Sequence, residues 1–196
     1  MSWFKFVTSI VRLYYRLMYK IELNGMENIP KEGGFLICCN HKSNNDPPFI
    51  GSFLPVQVAF LAKKELFIPI FGSIIKSLGA IPLERNSHDV TAIKTSMSIM
   101  RGGKGLLVFP QGGRRKELSQ KDFRPGSLMM AYRTKVPVIP ALIEGNYKFG
   151  TKITISIGCP ISAEELSGII GTASEQEKNS ILSNLIYNRI ISLAKG

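Results

Sequence analysis

Phe35-Leu36-Ile37-Cys38-Cys39-Asn40-His41-Lys42-Ser43-Asn44-Asn45-Asp46-Pro47-Pro48 changes character twice within one short stretch. Residues 35–39 form an apolar run behind the turn signals Pro30-Lys31-Glu32-Gly33-Gly34, which predicts a buried strand. Ser43-Asn44-Asn45 is turn-prone, and Asp46-Pro47 reads as an N-cap followed by proline at the first helical position. A strand handing over to a helix through a tight turn is the building unit of an α/β sheet.

Working outward, further short, β-prone runs occur at 58–61, 80–83, 106–109, 136–143 and 153–157. Segments suited to helices lie between them, at 65–77, 89–101 and 125–134, and a helix-prone tail begins at Ala163. The expectation is one α/β domain over residues 21–196, with a mixed, mostly parallel central sheet flanked by helices. A chain of 196 residues is long enough for one substantial core and short for two.

Residues 1–20 predict an amphipathic helix of their own. At about 100° per residue, Trp3, Phe4, Phe6, Val7, Ile10, Val11, Leu13, Tyr14, Leu17 and Met18 share one broad face. Lys5, Arg12, Arg16 and Lys20 fall opposite, and no acid precedes Glu22. That composition fits a helix in a lipid interface, with cations toward the headgroups; it also fits a terminal helix docked on the core. No apolar stretch reaches the ~18 to 20 residues of a membrane span. Charges spread through the N-terminal segment fit a cleaved signal peptide poorly.

The formal charge of +11 favours anionic partners: lipid headgroups, phosphorylated substrates, an acidic carrier protein or nucleic acid. Nucleic acid is not expected, because aromatics and cations are not interleaved in an RNA-binding pattern. Adjacent Cys38 and Cys39 sit in the apolar run and read as buried free thiols, and no cysteine or histidine spacing suggests a metal site.

His41 is one of two histidines. On a regular helix His41 and Asp46 would lie about 140° apart and not meet. Across a strand-to-helix turn they can meet, and Asp46 could then orient His41 as a general base, as in a catalytic triad without its serine. The simpler reading is that Asp46 caps the helix and His41 packs beneath it. The second histidine, His88, lies in a polar segment before a helix and reads as a solvated loop residue.

Two arginine loops also follow strands. Phe109-Pro110-Gln111-Gly112-Gly113-Arg114-Arg115-Lys116 offers backbone amides at two glycines and guanidinium groups, a combination suited to phosphate. Arg85 ends Gly79-Ala80-Ile81-Pro82-Leu83-Glu84-Arg85. In an α/β sheet, loops at strand ends converge on a shared crevice.

With these residues in view, the chain resembles the glycerolipid acyltransferase family that includes 1-acylglycerol-3-phosphate acyltransferases. Asn40, His41 and Asp46 match the family's Asn-His-x4-Asp motif, and 79–85 its second motif. Phe109, Pro110, Gly112 and Arg114 match Phe-Pro-Glu-Gly-Thr-Arg, and Val136-Pro137-Val138-Ile139-Pro140 matches the fourth motif. The likeness spans roughly residues 20–160. Gln111 and Gly113 replace the usual Glu and Thr, and Pro82 a common aromatic.

The resemblance implies a glycerol-phosphate-acyltransferase-like fold and an O-acyltransferase of phospholipid synthesis. Such an enzyme moves a fatty acyl group from acyl-coenzyme A or acyl carrier protein to lysophosphatidic acid, giving phosphatidic acid, with no cofactor. It implies His41 and Asp46 as the catalytic pair, and Arg114, Gly112 and Arg85 as phosphate ligands. Asn40, Phe109, Pro110, Gln111 and Pro137 would be supports. The expected location is the cytoplasmic face of a membrane, as a peripheral or monotopic protein, with Trp3, Phe4, Lys5, Arg12 and Arg16 as membrane contacts. Other readings are a related lysophospholipid acyltransferase with a different headgroup, and a non-catalytic protein that binds membranes or nucleic acid.

Overall fold

The computed structural model describes residues 3–84, 89–171 and 173–195; Arg85 and His88 lie outside the described residues. The stretch that opens at Phe35 folds as strand, turn and helix: β2 spans Phe35–Cys39 and α2 spans Asp46–Phe53. All five residues of β2 are buried, so the strand is covered on both faces and its run is continuously apolar instead of alternating.

The other strands are β1 (Lys20–Asn24), β3 (Val58–Lys63), β4 (Ala80–Leu83), β5 (Gly105–Val108), β6 (Val138–Gly145) and β7 (Lys152–Ile157). They form one seven-stranded sheet in the order β1-β7-β6-β2-β5-β3-β4. Central β2 runs parallel to both neighbours, with Ile37 opposite Leu107 of β5 and Ile139 of β6. Only the β6–β7 pair is antiparallel. The mixed, mostly parallel sheet is as expected. Strand β1 was not expected; it follows the first helix after a single residue and pairs with β7 from far along the chain.

Side chains of β2 alternate between two cores. Leu36 and Cys38 join Leu106, Leu128, Leu142, Leu182 and Ile186. That core lies under α4 (Val90–Arg101), α5 (Gly126–Thr134), α6 (Ala163–Ile170) and α7 (Glu175–Ser192). Phe35, Ile37 and Cys39 join Tyr15, Phe49, Leu107 and Ile139 under α2 and the N-terminal helix α1 (Trp3–Met18). The helix after β2 therefore covers one face, and the helix after β5 covers the other. Adjacent parallel strands whose connections part in this way leave a crevice at their C-terminal ends.

Helix α1 lies against α2: the Tyr15 ring meets Phe49 at 5.0 Å, and the Tyr15 hydroxyl donates to the Asn45 carbonyl at 3.3 Å. Its broad apolar arc is thereby divided. Phe4, Val7, Val11 and Met18 turn partly inward, while Trp3, Phe6, Ile10, Leu13, Tyr14 and Leu17 form an exposed stripe. Arg12, expected to face headgroups, instead turns to the protein. Its Nε and guanidinium NH2 donate to the Ser52 carbonyl at 2.9 and 2.6 Å. The reason is that the last carbonyls of α2 lack intrahelical partners and attract a cation. Among the described residues no helix is long and apolar enough to cross a membrane.

Gly34 leads into β2 where the chain passes the end of α4. A Cβ there would sit 1.9 Å from the Met100 carbonyl oxygen, a backbone atom that cannot step aside. Gly34→Ala is expected to lower stability by about 2–3 kcal/mol, measured by chemical denaturation.

Candidate active site

The turn between β2 and α2 folds around the Asp46 carboxylate. The N-cap of α2 is Asn45, whose side chain makes no capping bond, so Asp46 is not the cap. Asp46 occupies the first turn of the helix, and its Oδ2 reaches back to accept from the backbone amides of Lys42 (2.6 Å) and Ser43 (2.7 Å). The same oxygen lies 2.8 Å from His41 Nδ1. Both side chains are buried, Asp46 almost completely. A carboxylate oxygen that already accepts two amides favours Nδ1–H as the donor to it, and in that neutral tautomer the lone pair is on Nε2. That is the arrangement of a general base with its orienter. Of the simpler reading, the cap is not found, while His41 is indeed buried and packed.

The loop after β5 is tied to the same histidine. The His41 amide donates to Gln111 Oε1 at 2.8 Å, and the Arg115 amide donates to the His41 carbonyl at 2.8 Å. The Phe109 ring stacks on the imidazole at 4.3 Å. A turn closed by the Gly112 amide donating to the Phe109 carbonyl at 3.0 Å carries Gly112 at φ +63, a left-handed conformation that glycine adopts without strain. Arg114 follows on this loop, exposed and in no ion pair among the described residues. Arg115 is held by Asp122 at 3.1 Å. Asn40 secures the other side, accepting from the Ile143 amide at 2.7 Å and donating to its carbonyl at 3.0 Å.

The His41–Asp46 pair and a cationic glycine loop thus lie together at the ends of the adjacent parallel strands β2 and β5. A family model described as Acyltransferase matches residues 20–144. The chain belongs to the acyltransferase family. It is an O-acyltransferase. Over 97% of its length it is 27% identical to the 1-acyl-sn-glycerol-3-phosphate acyltransferase of Bacillus subtilis (strain 168), covering 96% of that protein. A probable 1-acyl-sn-glycerol-3-phosphate acyltransferase of Mycoplasma pneumoniae is 32% identical over 73% of this chain and 56% of its own. The crystal structure of the 1-acyl-sn-glycerophosphate (LPA) acyltransferase PlsC from Thermotoga maritima superposes with a TM-score of 0.73. That match has 27% identity and covers 98% of this chain and 82% of that one.

Not every expected site residue of the acyltransferase reaches the crevice. Pro137 precedes β6 at its N-terminal end and accepts from the Leu36 amide at 3.0 Å. Ile143, which binds Asn40, lies five residues beyond Val138 on the same strand, about 16 Å away at ~3.3 Å per residue. The position of Pro137 fits a support at the start of the strand.

Two residues near the site were not assigned from sequence. Arg124 lies over Gly112, where a Cβ would be 3.2 Å from its Nε. Tyr147, just past β6, donates its hydroxyl to Asp46 Oδ1 at 2.8 Å. Burial, followed by the Asp46 charge, pushes its phenol well up, so it stays a donor. Only the topology reveals Tyr147, since nothing in Asn146-Tyr147-Lys148 marks it. Gln111 is buried with its Nε2 unpartnered, beside His41.

Tyr147→Phe keeps the ring and removes the donation to Asp46. With hydrogen bonds to charged groups contributing about 1.5–3 kcal/mol, kcat is expected to fall roughly tenfold. KM should stay near wild type in steady-state measurements, while the melting temperature falls by several degrees because buried Asp46 loses a donor; a change confined to KM would contradict a positioning role.

Proposed function

We propose that this acyltransferase moves a fatty acyl group from an acyl thioester to the free hydroxyl of 1-acylglycerol 3-phosphate, forming phosphatidic acid for phospholipid synthesis at an anionic membrane surface. The observation that carries the proposal is the buried His41–Asp46 pair, bonded through backbone to the arginine loop. The named activities of the relatives from Bacillus subtilis and Thermotoga maritima agree with it.

His41 Nε2 takes the proton of the acceptor hydroxyl as its oxygen attacks the thioester carbonyl. The tetrahedral intermediate collapses to the new ester, and the departing thiolate takes the proton back from the imidazolium. Asp46 stabilises that imidazolium. Transfer is direct. Burial pushes the Cys38 thiol upward, and burial followed by the Asp46 charge does the same at Cys39, so neither neighbouring cysteine supplies a thiolate.

Arg114 and the Gly112 region bind the acceptor phosphate, with Arg124 added from its place over Gly112. Arg85 remains a further candidate from its motif. The unpartnered Gln111 Nε2 is a donor for a substrate oxygen near the base. Either coenzyme A or an acidic acyl carrier protein suits a chain of formal charge +11. Membrane association follows from the exposed stripe of α1, with Lys5 and Arg16 exposed beside it.

The test crosses acyl-coenzyme A and acyl carrier protein donors with several lysolipids while free thiol is followed. His41→Ala and Asp46→Asn are each expected to lower kcat roughly 10²- to 10⁴-fold in folded protein. Near-normal turnover by folded His41→Ala would sink the mechanism. Arg114→Ala should raise KM for the phosphorylated acceptor about tenfold. An equal loss with an acceptor lacking phosphate would contradict the phosphate role.

Because Tyr15 of α1 is buried, deleting α1 would damage the core. Ile10→Ser with Leu17→Ser alters only the outer stripe. Co-sedimentation with anionic vesicles should drop about tenfold or more for the pair.

A further inference from the structure

We infer that residues 66–74 form a second membrane contact, which brings the crevice edge of the sheet against an anionic lipid surface. This rests on the reading of the α1 stripe as the first contact.

Strand β3 runs parallel to β5, as β5 does to β2, so Lys63 emerges at the same sheet edge as His41. The chain there passes through Leu66, Ile68, Ile70 and Phe71, all exposed, into α3 (Phe71–Ser77). Ile70 is 80% exposed. It is also one of two non-glycine residues at positive φ among the described residues, at φ 69 and ψ −66. The Phe71 amide donates to the Pro69 carbonyl at 2.9 Å, which makes Ile70 the centre of a strained γ-turn. A β-branched apolar residue is thus held in an unfavourable backbone conformation with most of its surface in solvent. Its carbonyl accepts the Ile74 amide at 3.1 Å and starts α3, while its side chain stays in solvent.

Steps from β2 to β3 and from β3 to β4 advance the same way across the sheet. Right-handed crossovers then put α2 and α3 on the same face. Helix α1 rests on α2, and its Trp3 Nε1 donates to Ser77 Oγ at the end of α3 at 3.0 Å. The stripe of α1 and the 66–74 segment are therefore joined on one side of the molecule.

Charge names the occupant. Helix α1 contributes exposed Lys5 and Arg16 with no acid, and Lys63, Lys64 and Lys76 flank the second segment. Among the described residues Glu65, Glu84 and Asp89 are the acids there, with Glu84 3.7 Å from Lys64 and Asp89 on the Glu84 amide, so with Lys5 and Arg16 the cations outnumber the acids five to three. Apolar residues framed by excess cations fit an anionic bilayer. In that pose a lysolipid acceptor reaches the crevice from the lipid surface.

Trp3 is the sole tryptophan, so the native chain reports on α1, and Trp3→Phe with Phe71→Trp moves the reporter to the second segment. Both are titrated with phosphatidylglycerol–phosphatidylcholine vesicles containing brominated lipid. Quenching and a blue shift at both positions are expected. Quenching at position 3 alone overturns this inference and leaves the α1 reading standing; no quenching at either position overturns both. A concentration-dependent blue shift at position 71 without vesicles, with the mass of a dimer, assigns the surface to a second copy and also overturns it. Independently, Ile68→Ser with Ile70→Ser should weaken vesicle partitioning about tenfold. Unchanged partitioning overturns the inference.

Discussion

The Asp46 carboxylate is the group on which the site depends. It is 1% exposed and accepts four hydrogen bonds: two loop amides and His41 Nδ1 on one oxygen, Tyr147 on the other. A buried carboxylate with fewer partners would be costly. Meeting its requirement forces the 42–45 turn into one shape, sets the histidine tautomer and draws the end of β6 toward α2. The catalytic geometry is thus a consequence of solvating one ion with protein atoms.

His41 then transmits that order to the arginine loop. Its amide and carbonyl bond to Gln111 and Arg115, and its ring lies against Phe109. Base and loop sit on adjacent strands, so the short β2–β5 ladder and these bonds fix one relative to the other. Gln111 serves here as an acceptor through its amide oxygen, a task that needs no negative charge. The departure from the usual Glu therefore leaves the connection to His41 intact, and its cost is the unpartnered Nε2 on the other side of the amide.

Much of this was legible along the chain because it is local. Strand β2 and the turn to α2 declare themselves through a continuous apolar run followed by polar turn residues and prolines, and the strand at 80–83 was read with its observed bounds. What escaped was set by distance. Tyr147 reaches Asp46 across 101 positions, and β1 finds β7 across more. Asp46 looked like a cap because the sequence pattern of a cap and that of a carboxylate solvated by its own turn are the same. Only the direction of the side chain separates them.

Helix α1 shows why its periodicity alone could not say what it packs against. Tyr15 meets Phe49 and donates to the Asn45 carbonyl, and Tyr19 meets Tyr147, the residue that binds Asp46. The helix and the Tyr19 that follows it must brace the α2 start and the Tyr147 ring on one side, while the helix presents an apolar stripe on another. Those sides are separated by Lys5 and Arg16 on one flank and by partly buried aliphatics on the other. A helix with two apolar duties shows a single broad arc when read by angle, because the boundary between the duties is apolar too. The arc's width, more than one docking face requires, is the trace of both, and Arg12 marks the limit of the inward side by ending on the Ser52 carbonyl.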